Sequence, residues 1–177
     1  MTIRATLENS RNRALLTLAG AAALLAACAT APMTTPAPAA SSAFSVEQFG
    51  WSAAAGQNSI EGQIASGDNG VPFACIGSAG LTPDTPYTRA RFQTLYGSTD
   101  RAQLPAAVVR ARTVEDAQAD YRSFVRSEAC EANRFTFHNL PEGSWFVIVP
   151  VKAGDGDVTV LMRRVQTRGN RAVQLSL

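Results

Sequence analysis

The sequence predicts an all-β domain folded as a β-sandwich, and three observations carry that prediction. From residue 59 onward, short alternating or apolar runs recur between clusters of Gly, Pro, Asn and Asp. Trp145, Phe146, Val147, Ile148 and Val149 form one unbroken run of aromatic and β-branched side chains, which suits a strand covered on both faces. Beyond that run the chain turns twice between further alternating segments, so two successive hairpins close the domain. About seven strands with a turn every ten residues or so fit a sandwich. A hydrophobic content of 46% is ample for one core.

Before the strands comes a segment of another kind. Arg4, Arg11 and Arg13 precede an apolar stretch over 14–27 that only Thr17 and Gly20 interrupt. A charged start followed by a short apolar run is the pattern of a secretory signal, too short to span a bilayer comfortably. The stretch ends in Leu25-Ala26-Ala27-Cys28. These residues resemble the lipobox of bacterial lipoproteins, whose small residues precede an invariant cysteine. The resemblance implies cleavage after residue 27, with Cys28 as the new N-terminus carrying a diacylglyceryl thioether and an amide-linked acyl chain. Two or three chains anchor stably, where one holds only marginally. The alternative is an ordinary signal cut at a nearby Ala-x-Ala-like site, with Cys28 incidental. Ala29 follows the cysteine, where an aspartate is absent; among lipoproteins this favours export to the outer membrane.

Residues 28–44 are expected to be a lipidated cysteine and a disordered tether. Positions 29–43 hold no charge, three prolines and one large apolar residue, Met33. Such a segment buries too little to offset its ordering entropy, and in extended form it reaches up to about 50 Å. Phe49 and Trp51 then mark the edge of the sandwich domain, 45–177.

Charge narrows the partners. Residues 1–27 hold three of the sixteen basic and one of the fourteen acidic residues, so the remainder is formally neutral. Lys152 is the only lysine and no basic cluster remains, which leaves nucleic-acid binding without an electrostatic footprint. Outside the cytoplasm, Cys75 and Cys130 are expected to be bridged, worth roughly 4 kcal/mol in the chain-entropy model. Two buried free thiols are the alternative. Neither cysteine has a second ligand at zinc-like spacing, so no metal site is expected.

The strands follow in order. Residues 59–65 alternate Ile60, Gly62 and Ile64 against polar neighbours and end in a turn cluster over 66–70. Residues 71–83 carry a small-residue run before Thr82-Pro83-Asp84. Residues 87–96 are a strand candidate, with Arg89 and Arg91 between apolar neighbours. Residues 113–128 read two ways: a helix near 113–120 capped by Thr113 with Asp116 three residues on, or a strand alternating from Tyr121. Phe135 and Phe137 share a face ahead of the turn at 139–143 and the long apolar run. Turns at 153–157 and 167–170 separate strands at 158–165 and 172–177.

Ile60-Glu61-Gly62-Gln63-Ile64, Cys75-Ile76-Gly77, Leu81-Thr82-Pro83, Thr85-Pro86-Tyr87-Thr88 and the hairpin from Phe135 to Trp145 together resemble one pattern. It is similar to the carboxypeptidase regulatory-like domain of bacterial envelope proteins. The resemblance implies a transthyretin-like (prealbumin-like) Greek-key sandwich of seven strands, with 121–130 as a strand. It departs from the family at Glu131-Ala132-Asn133-Arg134, where an Asp and a Gly are usual; Asn133 could supply the positive φ that the turn needs. Such domains are structural or ligand-presenting, which implies no catalysis and no cofactor.

No catalytic constellation emerges. His138 is the only histidine and falls on the face opposite Phe137. Asp155 and Asp157 sit in a GDGD turn without the closing acidic ligand of a calcium loop. Ser78 lies in GSAG, which is not a nucleophile elbow. Glu61, Glu115, Asp116, Asp120, Glu128, Glu131 and Glu142 read as solvated charge rather than a paired acid and base. Arg163-Arg164 would place one arginine on each face of an edge strand. The expectation is therefore a non-enzymatic, lipid-anchored envelope module, membrane-held through Cys28, binding or supporting an envelope protein, peptidoglycan or a glycan, in the outer membrane facing the periplasm. The alternatives are an accessory subunit of a larger envelope assembly and a transthyretin-like hydrolase. That hydrolase family needs several histidines and a C-terminal Tyr-Arg-Gly-Ser, against Gln174-Leu175-Ser176-Leu177 here. No residue is singled out for binding.

Overall fold

In β1 (Asn58–Gln63), Ile60 and Gly62 turn inward while Glu61 and Gln63 face solvent, as the alternation requires. The molecule is described by a computed structural model over residues 43–114 and 120–177. The signal segment 1–27, Cys28, the tether up to residue 42, Glu115 and Asp116 lie outside the described residues. After β1 come β2 (Gly67–Asp68) and β3 (Val71–Cys75), a hairpin turned by Asn69 and Gly70, both at positive φ. β4 (Ser78–Pro83), helix α1 (Pro86–Tyr96), β5 (Arg101–Pro105) and the short helix α2 (Ala106–Ala111) follow. A 3-10 turn (Asp120–Phe124) leads into β6 (Arg126–Ala129). The chain finishes through β7 (Arg134–Leu140), β8 (Gly143–Ala153), β9 (Thr159–Thr167) and β10 (Ala172–Ser176).

These strands make an all-β sandwich of two sheets. The smaller has the order β10-β1-β7, with β10 parallel and β7 antiparallel to β1. The larger has seven strands built around β8. One edge of β8 pairs along its length with β9, which pairs in turn with β5. The other edge takes β3 and β4 end to end, and β6 lies outside β4. The break between β3 and β4 falls at Ile76-Gly77, where Gly77 adopts φ 77°.

Burial explains why β8 is apolar without alternation. Trp145, Val147, Val149 and Val151 face the smaller sheet and pack on Ile60, Phe135, Phe137 and Leu140. Phe146 faces the other way, under Phe92 of α1 and beside Met162. Both faces are covered, by different layers. Gly62 is glycine because the Phe135 ring lies against it, and a Cβ there would overlap that ring. Asn58 is buried and ties three segments together: its amide donates to the Leu140 carbonyl (3.1 Å) and its Oδ1 accepts from Arg171 N–H (3.2 Å). Trp145 Nε1 donates to Thr167 Oγ1 at 3.1 Å, satisfying the one polar atom of a fully buried ring.

Cys75 and Cys130 form a disulfide that fastens the end of β3 to the loop before β7. Asn133 reinforces the same junction, accepting from Cys75 N–H (2.8 Å) and donating to the Phe73 carbonyl (3.0 Å). It adopts φ 62°, the positive value that its place in the 131–134 turn demands.

The structure corrects the element plan in four places. Among the described residues ten strands stand where about seven were expected, since 71–83 divides in two and β2 and β5 carry too few apolar residues to be read. Residues 87–96 belong to a helix, not a strand. Thr85 and Thr88 form a reciprocal capping box, Pro86 sits in the first turn and Gly97 closes the helix at φ 71°. Over 113–128, Thr113 and Val114 are not helical, 120–124 is a 3-10 turn, and the strand spans only Arg126–Ala129. Finally, β9 is no edge strand, because β5 covers it.

Candidate functional site

Helix α1 is short, so it covers only part of the outer face of the larger sheet. Beside it an open groove of about 490 Å³ remains. Phe92, Leu95 and Tyr96 form one wall; Tyr121, Arg122 and Val125 form the other. The floor is the sheet itself, with Ser78, Gly80 and Thr82 of β4 beside Ile148 and Pro150 of β8. Alternation along β4 makes this floor: Ala79 and Leu81 are fully buried toward the core, so Ser78 and Gly80 point outward.

The walls are held from behind by aromatic packing. Tyr121 lies 5.7 Å from Tyr87, ring to ring, and Tyr87 packs at 5.5 Å against Phe44 and 6.4 Å against Phe49. Phe49 in turn stacks on Phe124 at 4.8 Å. The Arg91 guanidinium sits 4.9 Å over the Tyr121 ring and donates from Nη1 to Tyr87 Oη at 3.5 Å. Its Nε is buried with no hydrogen-bond partner among the described residues. The contacts orient Tyr121.

Burial, and then the neighbouring Tyr121, push the Tyr96 phenol up to about 12, with Arg91 pulling the other way. Tyr96 therefore stays a neutral hydroxyl throughout the ordinary pH range, able both to donate and to accept a hydrogen bond. The groove thus combines two phenols, one guanidinium (Arg122) and two aliphatic hydroxyls over an apolar base. No carboxylate lines it. No histidine or lysine lines it either.

The residues weighed from sequence fall elsewhere, with one exception. Ser78 lies on the groove floor, without a histidine near it in the lining. His138 is exposed on β7, on the far sheet. Asp155 and Asp157 are exposed in the turn after β8. Glu61 accepts from Gln174 Nε2 (2.7 Å) and Glu142 from Gly169 N–H (2.7 Å), both as surface struts. No group of three or more His, Cys, Asp or Glu side chains able to hold a metal occurs among the described residues. Arg163 and Arg164 do point to opposite faces. Arg164 meets Asp84 at 2.5 Å, and Arg89 of α1 meets the same carboxylate at 2.8 Å, locking the helix start to β9. Tyr96, Tyr121, Arg91 and Arg122 were not legible as a set, because they lie on two segments whose structure the alternation misassigned.

The chain is thus an all-β sandwich with an open groove on the outer face of its larger sheet. No family model matches the chain, and no curated protein matches it. A crystal structure from Pseudomonas aeruginosa, described as a proposed carbohydrate-binding protein, aligns with 76% of this chain and 97% of its own, at 22% identity and a TM-score of 0.49.

Proposed function

We propose that this chain is a non-enzymatic binding module of the bacterial envelope that takes a saccharide in the groove beside α1. The observation that carries the reading is the pairing of Tyr96 and Tyr121 across a floor of Ser78 and Thr82. A sugar ring offers C–H groups on its faces and hydroxyls on its rim. Aromatic rings with polar tips match the first, and hydroxyl and guanidinium donors match the second. The sandwich needs no moving parts for this, since the groove is preformed on a sheet. Lipid on Cys28 would hold the domain at the outer membrane, facing the periplasm, with 28–44 as its tether.

The test is direct titration of the purified chain with defined envelope saccharides, muropeptides containing GlcNAc–MurNAc and neutral O-antigen-type oligosaccharides among them. At least one should bind saturably, and Tyr96→Ala and Tyr121→Ala should each weaken it about tenfold, the loss of one stacked ring at 1–1.5 kcal/mol. Binding unchanged in both variants, or no saccharide binding at all, contradicts the reading.

A further inference from the structure

We propose a second site, an oxyanion-binding cleft at the open side of the sandwich that takes a phosphate group. It is independent of the groove and lies at the other end of the larger sheet. There the smaller sheet stops short: β5 is the outermost strand, and its inward residues have no layer to pack on. Arg101 and Gln103 are accordingly exposed, whereas Ala102 and Leu104, on the helix side, are half-buried.

The strand register sets the chemistry. Arg101 lies directly opposite Arg163, and Gln103 directly opposite Leu161, in the antiparallel pair of β5 and β9. Leu161 faces the core, so both arginines emerge on the inward face, about 5 Å apart at Cβ. Two like charges facing each other across strands are unfavourable. Elsewhere this chain avoids that cost: Arg89 and Arg164 share Asp84. Arg101 and Arg163 have no ion pair among the described residues.

The two guanidiniums line a cleft of about 400 Å³ together with Gln103, Ser66 and the apolar Leu161 and Leu177. The Ser66 hydroxyl is buried there without a hydrogen-bond partner among the described residues, and Ser66 approaches only through its backbone, donating to Leu177 at 2.9 Å. The cleft is therefore rich in donors and holds no acidic side chain; the terminal carboxylate of Leu177 at its rim accepts from the Ala65 and Ser66 backbone N–H groups (2.7 and 2.9 Å) and makes no ion pair with either arginine among the described residues. Two guanidinium forks, a carboxamide and a hydroxyl exceed what the two oxygens of a carboxylate can satisfy, and they suit the three or four oxygens of a phosphate. Bringing in such an anion would relieve the repulsion and satisfy the orphan hydroxyl in one step.

Amide chemical-shift titration of the full chain with inorganic phosphate and with glycerophosphoglycerol tests this, the second probe being the soluble form of a lipid headgroup. Shifts should concentrate at residues 66, 101–103 and 161–163. Arg101→Gln and Arg163→Gln should each weaken binding at least fivefold and the pair at least twentyfold, while the melting temperature holds or rises. Tighter binding of glycerophosphoglycerol assigns the source to lipid, and tighter binding of phosphate assigns it to a free anion. Equal affinity in the double variant, shifts spread over Arg110, Arg134 and Arg168, or no saturable shift with either probe would overturn the site.

Discussion

The two faces of β8 are both buried, yet they are closed to different degrees. On the inner face Trp145, Val147, Val149 and Val151 are fully covered, because a whole sheet lies against them. On the outer face Phe146 is as deeply buried, but Ile148 and Pro150 are only half covered, and the polar outer positions of β4 flank them. A sheet seals a face along its length; one eleven-residue helix seals a patch at most about five strand residues long. The inner face is thus sealed core, while the outer face is core under α1 and leaves beside it the groove where recognition is proposed.

The sharpest way to break that contrast is to cut into each face in turn. Trp145→Ala should cost about 4–5 kcal/mol in chemical denaturation, since a rigid two-sheet core cannot collapse onto the void and Thr167 loses its indole partner. Met162→Ala, on the outer face, should cost about 2 kcal/mol, because α1 can settle toward the gap. Equal losses at the two positions would mean that the helix is as unyielding a cover as the sheet.

A smaller effect concerns pH. The folded-state value of Tyr96 lies above its ordinary value of 10.0, at about 12, so the folded chain holds this proton more tightly than the unfolded chain does. Its contribution to stability is complete below pH 10 and is lost as the pH rises toward 12. Stability measured across that window should fall in the native protein and fall less in Tyr96→Phe. An identical alkaline decline in the two would place Tyr96 in a wetter setting than its packing implies.

Legibility in the sequence followed the same division. The inner face could be read: Phe135 and Phe137 alternate, Asn139 to Gly143 turns, and β8 is apolar at every position from Trp145 to Val151 because both its faces are covered. The outer layer could not. Residues 87–96 alternate polar and apolar side chains much as a strand does, and their helical state is decided at the ends, by Thr85, Thr88, Pro86 and Gly97. Those capping residues were visible in the chain, and their spacing was the signal to read. β5 gave no hydrophobic pattern at all, because nothing covers its inner side and Arg101 and Gln103 need not be apolar. Tyr96 and Tyr121 meet across one groove although twenty-five positions separate them, and only the packing of Tyr87, Phe49 and Phe124 brings them together.

The measurement that bears most directly on the central claim is a backbone amide shift map of the chain saturated with whichever saccharide binds best. Perturbations confined to residues 78–82, 92–96, 121–125 and 148–150 are the expected result. A footprint on the smaller sheet, with those residues silent, would contradict the assignment of the outer groove as the recognition surface.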